Sequence, residues 1–102
     1  MFELVWRPQA REQYDDLQRR ATGGRPLALF KQVAKALKLL RDNPRHPSLQ
    51  THPFSGLENP YDKDQKVFEA YVQQHTPGAY RVFWCYGPKQ GQISLIAITP
   101  HP

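Results

Sequence analysis

An arginine inside an aromatic strand pattern, a lone carboxylate and a histidine beyond the last apolar run are the residues best suited to chemistry in this sequence. Arg81 interrupts Tyr80-Arg81-Val82-Phe83-Trp84-Cys85-Tyr86 and shares strand parity with Phe83 and Cys85. A guanidinium held on a strand suits a phosphate, because it is planar, permanently charged and donates two hydrogen bonds at once. Its structural use would be an ion pair with Glu69 on the neighbouring strand, and the two roles are compatible. Glu69 is the only acid in the last three strand segments; half-buried beside aromatics, it is either a general base or the partner of Arg81. His101 follows Ile96-Ala97-Ile98-Thr99-Pro100, where an imidazole can reach over a sheet edge as general acid or base. The alternative is a terminal histidine with no ordered place.

Arg45, His46 and His52 form a small cationic group among prolines, open to reading as substrate contacts or as surface residues without a role. Tyr71, Tyr80, Trp84 and Tyr86 can stack on bases or fill a core. A metal site built from His46, His52, Cys85 and His101 lacks any recognised ligand spacing. Nothing marks a base beside Cys85 that would make it a nucleophile.

The elements that position these residues follow from periodicity. Phe2, Leu4 and Trp6 alternate with Glu3, Val5 and Arg7, a strand pattern, and Pro8 has the φ of a first helical turn. Ala10, Tyr14 and Leu17 give an amphipathic helix from Pro8 to about Ala21, ended by Gly23-Gly24. Pro26 starts a second helix with the stripe Phe30, Val33, Leu37 and Leu40, which Asn43-Pro44 stops. Residues 44–66 carry four prolines and little periodicity, the pattern of an extended surface loop. Three strands follow, Val67–Val72, Tyr80–Tyr86 and Ile93–Thr99. The expected fold is α+β in the order β-α-α-β-β-β, a helical hairpin packed on a mainly antiparallel four-stranded sheet, with residues 1–102 as a single domain.

Fourteen Lys and Arg against nine Asp and Glu give a formal charge of +5, which favours a phosphate-bearing or acidic partner. Residues 1–43 hold nine of these cations and five of the acids, so most of the excess lies on the helices. One cysteine excludes an intrachain disulfide and gives no reason to invoke an oxidising compartment. With no signal-peptide pattern and no long apolar run, the chain reads as soluble and cytoplasmic.

Four features together resemble the RelE/ParE toxin family of bacterial type II toxin–antitoxin systems. They are the opening strand and helical hairpin; Leu49-Gln50-Thr51-His52-Pro53-Phe54-Ser55-Gly56, similar to an L-x-x-H-x-L-S-G stretch; Tyr80-Arg81-Val82-Phe83-Trp84; and Ile96-Ala97-Ile98-Thr99-Pro100-His101. Thr76-Pro77-Gly78-Ala79-Tyr80-Arg81, with the Ile98-Thr99-Pro100-His101-Pro102 ending, resembles one branch of that family.

The resemblance implies a cytoplasmic mRNA endonuclease, often acting on the ribosome, restrained by a cognate antitoxin and needing no metal or organic cofactor. Its chemistry would be attack of a ribose 2′-OH on the adjacent phosphate. By the same resemblance Arg81 would bind the scissile phosphate, His101 would match a histidine near the C-terminus, and His46 would lie near a loop general base, with Glu69 the alternative base. Arg45, His52, Tyr80 and Trp84 would contact substrate. One departure is that many active relatives carry a further aromatic or catalytic residue after the histidine, where this sequence has Pro102. Two rival functions remain: a ParE-like gyrase poison, whose members generally lack the Arg and His pair, and a non-catalytic module that docks antitoxin or ribosomal RNA.

Overall fold

The computed structural model describes residues 1–74 and 76–101. Strand β1 (Glu3–Trp6) leads into helix α1 (Pro8–Arg20), then α2 (Gly24–Asp42), a short 3₁₀ turn (Pro47–Leu49), and strands β2 (His52–Phe54), β3 (Val67–Tyr71), β4 (Tyr80–Tyr86) and β5 (Gln92–Pro100). Pro8 opens α1, as its fixed φ favours. The sheet order is β1-β5-β4-β3-β2. β1 runs parallel to β5, and the other pairs are antiparallel. No helix among the described residues is long and apolar enough to cross a membrane.

The α+β architecture and the helical hairpin are as expected, but the sheet has five strands, not four. The additional strand, β2, lies inside the proline-rich stretch read as a loop. Three residues are too few to show a period of two, and Pro53 at the middle lacks an N–H to donate, which confines such a strand to a sheet edge.

The hairpin covers one face of the sheet. Val33, Leu37 and Leu40 of α2 and Ala10 and Leu17 of α1 pack there against Val82, Trp84, Ile93, Leu95 and Ile98. β5 carries a β-bulge: Trp84 pairs with Leu95 and Phe83 with Ala97, which leaves Ile96 as the extra residue. The extra residue reverses the side-chain parity beyond it. Leu95 and Ile98 therefore both face the helices, while Ala97 joins Phe83 on the opposite face. β1 stops opposite Leu95, and the Ile98 N–H is met by the Gln13 side-chain oxygen of α1 at 2.7 Å.

On the face away from the helices, Val67, Phe83 and Ala97 form a second small core with Phe54 and Ile96. The loop after β2 covers part of this face. Asn59 is 5% exposed; its Oδ1 accepts from the Tyr61 and Asp62 N–H groups, and its amide donates to the Lys66 carbonyl. Ser94 donates to the Gly87 carbonyl at 2.9 Å, so the Tyr61 hydroxyl is the donor in its 2.7 Å bond to Ser94 and ties the loop to β5.

Gly56 lets the Phe54 ring fold back, because a Cβ there would lie 2.5 Å from the ring. Gly56→Ala is expected to push Phe54 off Phe83, whose ring centroid is 4.7 Å away. The expected cost is about 1–3 kcal/mol by overpacking, to be measured by chemical denaturation.

Candidate functional site

Cross-strand register assembles the site on the face away from the helices. His52 lies opposite Glu69, Tyr71 opposite Arg81, and Arg81 opposite Thr99. Beyond the end of β5, the His101 N–H still reaches the Ala79 carbonyl at 2.8 Å. The parity set by the bulge places His101 on the same face as Thr99.

Glu69 is the hub. It is 2% exposed, and its two carboxylate oxygens serve two histidines. Oε1 lies 2.8 Å from His52 Nε2, and Oε2 meets His101 Nδ1. Arg81 Nε is 3.8 Å from Oε2. Three cationic or ionisable groups thus converge on one carboxylate.

The two histidines differ in what they have left to offer. His52 Nδ1 donates to the Gln50 carbonyl at 2.8 Å while Nε2 faces Glu69, so both ring nitrogens are engaged. His101 uses only Nδ1, and its side chain is 46% exposed. Nε2 has no hydrogen-bond partner among the described residues, the arrangement of a carboxylate behind a catalytic imidazole.

Arg81 is 8% exposed and rigidly held. Its Cζ lies 3.8 Å from the Tyr71 ring centroid, and Nη1 donates to the Gln73 and Tyr80 carbonyls. Among the described residues Nη2 has no hydrogen-bond partner, and Nε is buried without one. Phe54 flanks the group, its ring 6.5 Å from His101.

Four of the residues singled out from the sequence, Arg81, Glu69, His101 and His52, therefore meet at one place. Four others stand elsewhere. Tyr80 and Trp84 lie on the helix-facing side of β4; Trp84 is 1% exposed and stacks on Phe68, a core position and no open platform for a base. Arg45 and His46 lie over the helix-facing side as well, beside a cavity shared with Trp84. Pro102 lies outside the described residues.

Phe54 and the Gln73 carbonyl take part in the site without having been legible. β2 was too short to register, and a backbone carbonyl has no sequence signature. Cys85 is fully buried, and burial pushes its thiol up, away from the thiolate a nucleophile needs. Among the described residues, no group of three or more His, Cys, Asp or Glu could hold a metal ion.

The charge on the helices is also unevenly free. On α1, Arg11 pairs with Asp15, and Arg19 and Arg20 pair with Asp16. On α2, Lys31, Lys35 and Lys38 make no ion pair among the described residues, so the uncompensated cations line the second helix.

No family model and no curated protein matches the chain in sequence. Solved structures do match in shape. A YoeB/ParE toxin from Agrobacterium tumefaciens superposes with a TM-score of 0.69 at 13% identity, covering 98% of this chain and 99% of that one. A metal-bound toxin from Helicobacter pylori gives 0.65 at 14% identity, covering 99% and 96%. A copper-bound mutant toxin from Helicobacter pylori gives 0.62 at 16% identity with the same coverage. The order of elements, the five-stranded sheet and its helical cover thus give this chain the RelE/ParE-type toxin fold.

Proposed function

We propose that the chain is the toxin of a toxin–antitoxin pair and acts in the cytoplasm as a metal-independent endoribonuclease on mRNA. The observation that carries this reading is the half-exposed His101 imidazole, held through Nδ1 by Glu69 beside Arg81. An RNA phosphate seated against Arg81 Nη2 would bring the preceding ribose 2′-OH to His101. Nε2 takes the hydroxyl proton as the oxygen attacks phosphorus. Arg81 stabilises the charge that builds on the non-bridging oxygens. The P–O5′ bond breaks to leave a 2′,3′-cyclic phosphate, and water protonates the departing 5′-oxygen. His46 lies beside Trp84, on the other face, and is given no part in this step.

The unpaired lysines of α2 suit a polyanionic or acidic docking partner, either ribosomal RNA or the tail of an antitoxin, with affinity falling as salt rises. Induction in a bacterial host is expected to stop growth and produce new mRNA 5′ ends, mapped by primer extension with and without translating ribosomes. Intact mRNA together with inhibited DNA supercoiling would overturn the nuclease reading in favour of gyrase poisoning. Growth arrest with neither effect would leave only a binding module.

A further inference from the structure

The opposite face of the sheet holds a cavity of about 450 Å³ that the chemistry above does not use. Arg45, His46, Gln50, Phe68, Trp84 and Tyr86 are among its lining residues, and its size falls in the roughly 300–1,000 Å³ range of small-molecule sites. Its wall is aromatic and angular. Phe68 and Trp84 stack with centroids 4.8 Å apart, while Tyr86 stands edge-on to both, at 5.8 and 4.9 Å. Tyr86 is 45% exposed, so one ring of the corner is open to a planar ligand.

Several polar groups around this corner are donors. Trp84 Nε1–H is buried and has no partner among the described residues. His46 Nδ1 accepts from the Ser48 N–H at 3.1 Å, which leaves the proton on Nε2. Arg45 is exposed, with its backbone N–H fixed by Asn43 Oδ1 at 3.0 Å. Among the described residues no carboxylate lines the cavity. The loop is braced before any ligand arrives, since the Thr51 hydroxyl donates to the Pro44 carbonyl at 2.8 Å.

An aromatic corner, unmet donors and the Arg45 cation fit a flat heterocycle that carries acceptors and a phosphate. We propose that this cavity binds a nucleoside monophosphate unit, its base against Tyr86 and Phe68 and its phosphate on Arg45 and His46. The unit is either a free nucleotide or one residue of an RNA chain. The inference does not rest on the nuclease reading, yet it bears on that site. Gln50 lines the cavity, adopts a left-handed backbone at φ 46°, and presents the carbonyl that holds His52 Nδ1. A ligand here touches the residue at the head of the His52–Glu69–His101 chain.

The chain has two tryptophans, Trp6 and Trp84, so Trp6→Phe leaves Trp84 as the sole indole reporter. We would titrate this variant with AMP, GMP, CMP and UMP, and separately with a fully 2′-O-methylated RNA hexamer that cannot be cleaved by 2′-OH attack. Saturable quenching by a mononucleotide identifies a free-nucleotide site. Quenching by the hexamer alone identifies an RNA subsite. In either case Arg45→Ala and Tyr86→Ala are expected to weaken binding about tenfold, about 1.4 kcal/mol. Arg45 is a surface residue, so its variant tests the site even if Tyr86→Ala disturbs the fold. No quenching by either probe, or quenching lost in Arg81→Ala but kept in Arg45→Ala, would overturn the proposal.

Discussion

His101→Ala is expected to lower the rate of RNA cleavage by about 10²- to 10⁴-fold, the usual worth of a positioned acid–base group, with the melting temperature nearly unchanged. The side chain is 46% exposed and its one strong partner is Glu69. Glu69 keeps its bond to His52 and its neighbour Arg81 when His101 is gone. The loss should therefore appear in kcat, and antitoxin binding should be retained. Arg81→Ala should lose activity by about 10²- to 10³-fold, the scale of removing one preorganised stabiliser of transition-state charge. It should also lower stability, because the stacked Arg81–Tyr71 pair and the charge beside Glu69 disappear together. Single-turnover cleavage of a short RNA by each variant is the measurement. If His101→Ala cleaved at the wild-type rate, the imidazole would have no part in the reaction.

Glu69→Gln and Glu69→Ala should separate charge from placement. A glutamine oxygen can still accept from His101 Nδ1–H. Its amide can donate to Nε2 of a neutral His52, whose Nδ1–H still reaches Gln50. The hydrogen bonds survive while the negative charge is lost. Glu69→Gln should therefore fold, hold KM near its normal value, and lose kcat by about tenfold to a hundredfold, as removal of an outer partner of a working histidine typically does. Glu69→Ala leaves Arg81, 8% exposed, without its anion. Breaking a buried pair in this way costs about 3–5 kcal/mol, to be read from urea denaturation. A kcat loss no larger in Gln than the stability loss explains would reduce Glu69 to a packing role.

Much of this fold was legible because its punctuation is strong. Pro8, Gly23-Gly24 and Asn43-Pro44 bound two amphipathic stripes, and the structure buries Val33, Leu37, Leu40, Ala10 and Leu17 from those stripes. β3, β4 and β5 were also plain from their aromatic and β-branched runs. β2 was not, since a three-residue strand with proline at its centre has no pattern of its own and exists only through pairing with β3. That pairing is what brings His52 to Glu69. Faces were harder still: β4 is buried on both sides along most of its length, so alternation could group Arg81 with Phe83 and Cys85 without saying which set met the helices. Trp84 consequently read as a stacking surface when it is core. Arg45 and His46 are near His52 in sequence, yet the turn at Pro47–Leu49 carries the chain round the sheet edge between them.

Ile96 gives the last strand two allegiances. Before it the odd-numbered Ile93 and Leu95 face the helix-side core, and after it the odd-numbered Ala97, Thr99 and His101 take the face that carries Glu69. The bulge absorbs Ile96 as an extra residue, so deleting it would leave a regular strand in which Ala97 follows Leu95 directly, still opposite Phe83, and Thr99 and His101 keep the face they have. Such a variant should go on presenting the C-terminal histidine to Glu69, whereas a strand that kept every residue and ironed the bulge out would turn it toward the helices.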